Sequence, residues 1–241
     1  MSFRFEMRRE PMFRVPAAVS WLIGFMIVVH VVRSLLPADL SEDIMIRLSF
    51  MPIRYAPGID GGSLIDKIVP FIGHQFLHAS YFHLGMNCLW LLACGPVVAR
   101  RYGVLAFWGF FLLCGIAGAG LFLAADWGGI DGMIGASGAV SGLMAASIRM
   151  VPGQLLALTM PGAMHGAEAP LASVRSKPVM AFALIWFITN LIFGLTGIGA
   201  GGAGVHQIAW QAHIGGFVAG LLLPDVFDVV WRHFHRIQIL P

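Results

Sequence analysis

The chain has 241 residues, 58% of them hydrophobic and only 11% charged, with a formal net charge of +3 and a mean hydropathy of +0.82. These values lie far from those of a soluble globular domain and point to a polytopic membrane protein. The basic residues are scattered among segment ends, not clustered in a patch, and no nucleotide motif is present, so nucleic acid is excluded as a partner.

Residues 1–14 carry Arg4, Arg8, Arg9 and Arg14 ahead of an apolar run from Val15 to Val32. A cleaved signal peptide would show a shorter core and a small-residue cleavage site, so this run is expected to stay as the first span. Stretches at 81–99, 104–125, 179–197 and 205–230 are each long enough to cross a hydrocarbon core of ~30 Å, while 136–150 is shorter. The expected architecture is an all-α membrane protein: one domain over residues 1–241, six spans, and cytoplasmic tails at 1–14 and 231–241. Eleven of the fifteen Arg and Lys residues fall on the N-terminal side of the membrane in this arrangement. That bias sets both termini in the cytoplasm and opens the loop before the fourth span to the outside.

Between the spans, the stretch from Pro37 to Ser80 is too long for a simple connector. Ser41-Glu42-Asp43 ahead of Ile44, Met45 and Leu48 suggests an interfacial helix there. The segment from Val151 to Lys177, with His165, is Pro/Ala/Gly-rich and carries no recognisable chemistry. Gly197, Gly199, Gly201, Gly202 and Gly204 make the last outer loop pliable enough for a lid. Cys88, Cys94 and Cys114 lie in apolar stretches without metal-ligand or framework spacing and read as small core residues.

The chemistry concentrates around Ile134-Gly135-Ala136-Ser137-Gly138-Ala139-Val140-Ser141-Gly142-Leu143. Gly135 and Gly138 lack a Cβ on either side of Ser137, which permits a sharp turn and leaves space for a substrate beside the hydroxyl. If a helix starts here, its unpaired N–H groups can hold a developing negative charge, so Ser137 is the candidate nucleophile. The competing role is a helix N-cap, the commonest job of Ser at a helix start. Upstream, His83 and Asn87 stand at i and i+4, on one helical face. Downstream, His213 sits in an uncharged apolar segment followed by Gly216 and Gly220, and Gly138 and Gly142 repeat that spacing. Small residues four apart let membrane helices approach closely, and if the two glycine faces meet, Ser137 and His213 come within reach of each other.

Taken in order, His74, His78, His83 and Asn87, then Gly135-Ala136-Ser137-Gly138, then Ala212-His213 with Gly216 and Gly220, the sequence resembles the rhomboid family of intramembrane serine proteases. The resemblance spans His74 to Gly220 and implies an intramembrane serine endopeptidase that cleaves transmembrane segments of other membrane proteins within the lipid bilayer. It implies Ser137 as nucleophile, His213 as base, and an oxyanion site from the Ser137 N–H with Asn87 and His83. Gly135 and Gly138 accompany them in substrate binding. It also implies that the short serine helix begins below the outer surface, at the floor of a water-filled cavity, and that the long first loop is partly embedded beside the bundle. The six-span form without an added domain resembles the simple prokaryotic type, which sits in the bacterial inner membrane.

No carboxylate lies within about three helical turns of His213 on its own segment, and none on the serine helix, so a dyad is expected, with Asp126 and Asp131 as the alternative orienting acids. A metal on His74, His78 and His83 is disfavoured by the lack of an H-E-x-x-H pattern or a nearby Cys or acid, and no metal or cofactor is expected. In the family His74 and His78 correspond to structural positions. His30, His206, His233 and His235 lie near span ends and read as structural or solvated. The sequence departs from many bacterial members in three places: Ser141 replaces an aromatic residue that stacks on the histidine, Val69-Pro70 replaces Trp-Arg, and Ala99 replaces a Glu. A proteolytically inactive, derlin-like client binder is the alternative function, although such relatives typically lack the Ser or the His. A transporter would be expected to show an inverted repeat, and none is visible.

Overall fold

The computed structural model describes residues 15–159, 169–196 and 209–237. Arg4, Arg8, Arg9, Arg14, His165, His206 and the glycine-rich candidate lid lie outside the described residues, as do the side chains of Arg232, His235 and Arg236. Nine α-helices are found among the described residues. α1 (Ala17–Leu35), α5 (Tyr81–Tyr102), α6 (Val104–Ala125), α8 (Lys177–Thr196) and α9 (Trp210–Ile237) are each long and apolar enough to cross a membrane. At its C-terminal end α9 continues to Ile237, seven residues into the expected tail.

The sixth helix of the bundle, α7 (Ser137–Thr159), is not the short element that its hydrophobicity suggests. It runs for 23 residues, about 35 Å at the α-helical rise, enough to cross a ~30 Å core. The expected stretch, 136–150, includes Arg149. In the fold that guanidinium is buried and bonded to Asp225 of α9, with Nη1 2.8 Å from Oδ2 and Nη2 3.0 Å from Oδ1. A paired charge does not end a helix.

α7 is central, packed against α5, α6 and α9, and its contact with α9 is the most extensive in the bundle. Glycine makes that contact possible. A Cβ on Gly216 would strike the Gly138 carbonyl, and one on Gly220 would strike the Gly142 carbonyl. α6 joins through Gly118, where a Cβ would lie 2.6 Å from the Ala212 carbonyl oxygen. Three helices thus meet backbone to backbone around residues 138 and 212.

The long first loop is built of short helices. α2 (Ala38–Leu48) begins at Ala38, after Pro37 and ahead of the expected Ser41, and contributes no buried residue, as befits an interfacial element. α3 (Leu64–Ile68) starts at a capping box between Ser63 and Asp66. α4 (Pro70–Gly73) opens on Pro70, at the point where the family's Trp-Arg is missing. The loop is stitched to the approach to Ser137. Phe50 and Met133 exchange backbone hydrogen bonds of 3.1 and 2.9 Å, Ile53 N–H donates to the Gly129 carbonyl at 2.8 Å, and Gly135 N–H donates to the His74 carbonyl at 2.8 Å. The Phe50 side chain, fully buried, packs edge-on to Phe71 beneath this seam.

Candidate active site

Ser137 is the first residue of α7, one turn before the first helical hydrogen bond closes from Val140 N–H to the Ala136 carbonyl at 2.8 Å. Its hydroxyl is therefore not an N-cap. It is hydrogen-bonded to His213 Nε2 at 2.8 Å instead. The N–H groups of the first turn have no acceptor within the helix and remain directed at the space beside the hydroxyl. Ser141, one turn on, donates to the Ser137 carbonyl at 2.7 Å.

Gly135 explains the turn into α7. Its φ of +117° is a conformation that residues with a Cβ rarely adopt. A Cβ there would also lie 2.6 Å from His83 Cε1 and 2.7 Å from Nε2, so the His83 ring lies directly against the segment leading to Ser137. Gly138 faces the other way. Its Cα turns to α9, 3.3 Å from the Ala212 oxygen by the position a Cβ would take. Gly135 thus borders the site, and Gly138 admits the neighbouring helix.

α5 contributes His83 and Asn87 from one face, with Ser80 capping the helix by accepting from His83 N–H at 3.1 Å. Ala79 N–H approaches His83 Nδ1 at 3.5 Å, which leaves Nε2 as the protonated nitrogen beside Gly135. Asn87 is buried, and one amide hydrogen goes to the His83 carbonyl at 2.9 Å. His74 and His78 lie behind them in the loop, both buried. Burial pushes the His74 imidazole down to about 4, and it donates through Nδ1 to the Pro70 carbonyl at 2.7 Å. His78 is pushed down to about 3 for the same reason, with His83 and His30 adding to the effect. Among the described residues no cluster of His, Cys, Asp and Glu is arranged to hold a metal.

Sequence reasoning missed one participant. His213 Nδ1 is hydrogen-bonded at 2.7 Å to Oδ1 of Asn190, from the middle of α8. The place considered for Asp126 or Asp131 is taken by this amide. Asn190 is buried, and its Nδ2 donates to the Trp210 carbonyl at 3.2 Å. The signal was present: Asn190 is strongly polar within an otherwise uncharged span, the kind of residue that marks function by default.

The family model of the Rhomboid domain matches residues 66–227. Rhomboid protease GlpG of Yersinia pseudotuberculosis is 25% identical over 160 residues, 65% of this chain and 47% of that protein. RHOMBOID-like protein 5 of Arabidopsis thaliana is 24% identical over 242 residues, covering 89% and 71% of the two chains. Rhomboid-like protease 1 of Toxoplasma gondii is 31% identical over 100 residues, covering 42% and 31%. The match to the Yersinia protein spans about half of that protein's length. With most of the helical bundle inside the matched segment, the chain belongs to the rhomboid family.

Proposed function

We propose that this chain is an intramembrane serine endopeptidase, formed as one membrane domain over residues 1–241, with Ser137 as nucleophile and His213 as general base. The observation that carries this reading is the 2.8 Å bond between Ser137 Oγ and His213 Nε2 at the start of a helix. Ser137 Oγ attacks the carbonyl carbon of a peptide bond while its proton passes to Nε2. The carbonyl oxygen becomes an oxyanion, held by the Ser137 N–H, by His83 Nε2–H and by the amide hydrogen of Asn87 not given to His83. Collapse breaks the C–N bond, and His213 returns its proton to the departing amine. Water then attacks the acyl-enzyme, losing a proton to His213; collapse breaks the bond between the acyl carbon and Ser137 Oγ, which takes that proton back from His213 as the new carboxylic acid leaves.

The substrates are transmembrane segments of other membrane proteins, which reach the serine within the bilayer. Both termini lie in the cytoplasm and the site opens to the extracytoplasmic side, in keeping with the distribution of Arg and Lys. No metal or cofactor takes part in these steps.

The test is cleavage of a model transmembrane substrate by purified protein in detergent. Wild type cleaves, and Ser137→Ala and His213→Ala each abolish cleavage. Undiminished cleavage by Ser137→Ala contradicts the nucleophile assignment. A folded wild-type protein that binds the substrate and never cleaves it favours the inactive client binder.

A further inference from the structure

α8 meets α9 through three successive rungs, each one helical turn from the next. Gly194 lies against Trp210, where a Cβ would come within 2.6 Å of the indole. Asn190 meets His213 and the Trp210 carbonyl. Trp186 stacks on Phe217 with ring centroids 4.1 Å apart and planes inclined by 15°. The spacing of 186, 190 and 194 on α8 is i, i+4, i+8, so one stripe of that helix faces the imidazole helix.

The middle rung has a defined polarity. Trp210 offers a carbonyl, which only accepts, so the Asn190 group facing it is the NH2. The group facing His213 is then the amide oxygen, and Nδ1 must carry the proton. Nε2 is left as the lone-pair nitrogen that faces the Ser137 hydroxyl. From this juxtaposition we infer that Asn190 is the positioning residue of the catalytic imidazole, holding His213 in the Nδ1–H tautomer with Nε2 aimed at Ser137. This rests on the assignment of Ser137 and His213 as nucleophile and base.

The amide does a job that the family's aromatic residue, replaced here by Ser141, would share through stacking. It also does part of what a carboxylate does in a soluble triad, without placing a formal charge in mid-membrane. An amide oxygen sets the tautomer and the ring plane, which is what proton transfer from the serine requires.

The experiment measures kcat and KM for a transmembrane substrate in wild type, Asn190→Leu and Asn190→Asp, with Thr189→Val as a control. The Thr189 hydroxyl bonds only within its own helix, to the Ile185 carbonyl at 2.8 Å, and is exposed. Asn190→Leu is expected to lower kcat by about 10- to 100-fold, a part of the 10²–10⁴-fold that a positioned base contributes, with KM within about twofold. Asn190→Asp restores the acceptor and recovers most of the loss, and Thr189→Val changes nothing. Wild-type kcat in Asn190→Leu, or an Asp variant as slow as the Leu variant, overturns the inference. If Asn190→Leu does not fold, nitrogen NMR of labelled histidine in Ser137→Ala decides. The Nδ1–H tautomer of His213 supports the inference, and the Nε2–H tautomer overturns it. Failure of the underlying protease reading looks different, because wild type then cleaves nothing, or Ser137→Ala continues to cleave, whatever stands at position 190.

Discussion

Three side chains from three helices make a single directed chain of hydrogen bonds, from Ser137 through His213 to Asn190. The proposed oxyanion side comes from a separate helix, α5. His83 is fixed by its contact with Gly135, and Asn87 by its bond to the His83 carbonyl at 2.9 Å. Because that bond uses one of two amide hydrogens, Asn87 keeps a donor for the transition state. Asn87→Ala is therefore expected to cost about 2.7–4 kcal/mol of transition-state stabilisation, a fall of roughly 10²–10³ in kcat. The protein itself loses only about 1 kcal/mol with the bond to His83. Turnover measured beside thermal unfolding separates the two effects, and wild-type kcat in the Ala variant would remove Asn87 from the oxyanion site.

At the scale of elements, the seam between α7 and α9 holds Ser137 and His213 at bonding distance, and it depends on absent side chains. Gly216→Val would drive two extra methyl groups into the Gly138 carbonyl, one residue from Ser137. Overpacking alone costs about 1–3 kcal/mol. The helices would also separate, so activity should fall further than the loss of stability accounts for. Cleavage by the fraction that remains folded measures this, and full activity there would show that the seam does not set the site.

This seam was legible in the sequence because glycines four apart carry a packing instruction within a single helix. The same holds for the shared face of His83 and Asn87. Asn190 was not assigned its partner because that requires the register between α8 and α9, and no local spacing encodes a register between helices. The length of α7 was misjudged for a related reason. Beyond residue 150 the helix continues beside α9, to which Arg149 is tied through Asp225, 76 residues away, a pairing that no local spacing encodes.

For the whole molecule, the end of the bundle opposite Ser137 is closed by charge. Arg101, fully buried, grips Asp228 of α9 with Nε to Oδ1 at 3.0 Å and Nη2 to Oδ2 at 2.6 Å, and Tyr102 adds a bond to the same carboxylate at 2.8 Å. Arg149 and Asp225 do the same for α7. These arginines, which the sequence presents as topology signals, also tie α5 and α7 to α9, so the bundle is clamped by charge at the end away from Ser137. Asp228→Ala would leave the Arg101 guanidinium buried without its counter-charge, at a cost of about 3–5 kcal/mol. A clear drop in thermal stability in detergent is the expected result, partly reversed by adding Arg101→Leu. An unchanged melting temperature in the single variant would show that the clamp is dispensable.

Under the proposed function, all three scales bear on one oxygen, Ser137 Oγ. A fluorophosphonate probe, added to the purified protein and followed by mass-spectrometric mapping of the modified residue, tests that most directly. The account predicts a single adduct on Ser137 that disappears in His213→Ala. An adduct on another residue, or labelling that survives in Ser137→Ala, would contradict it.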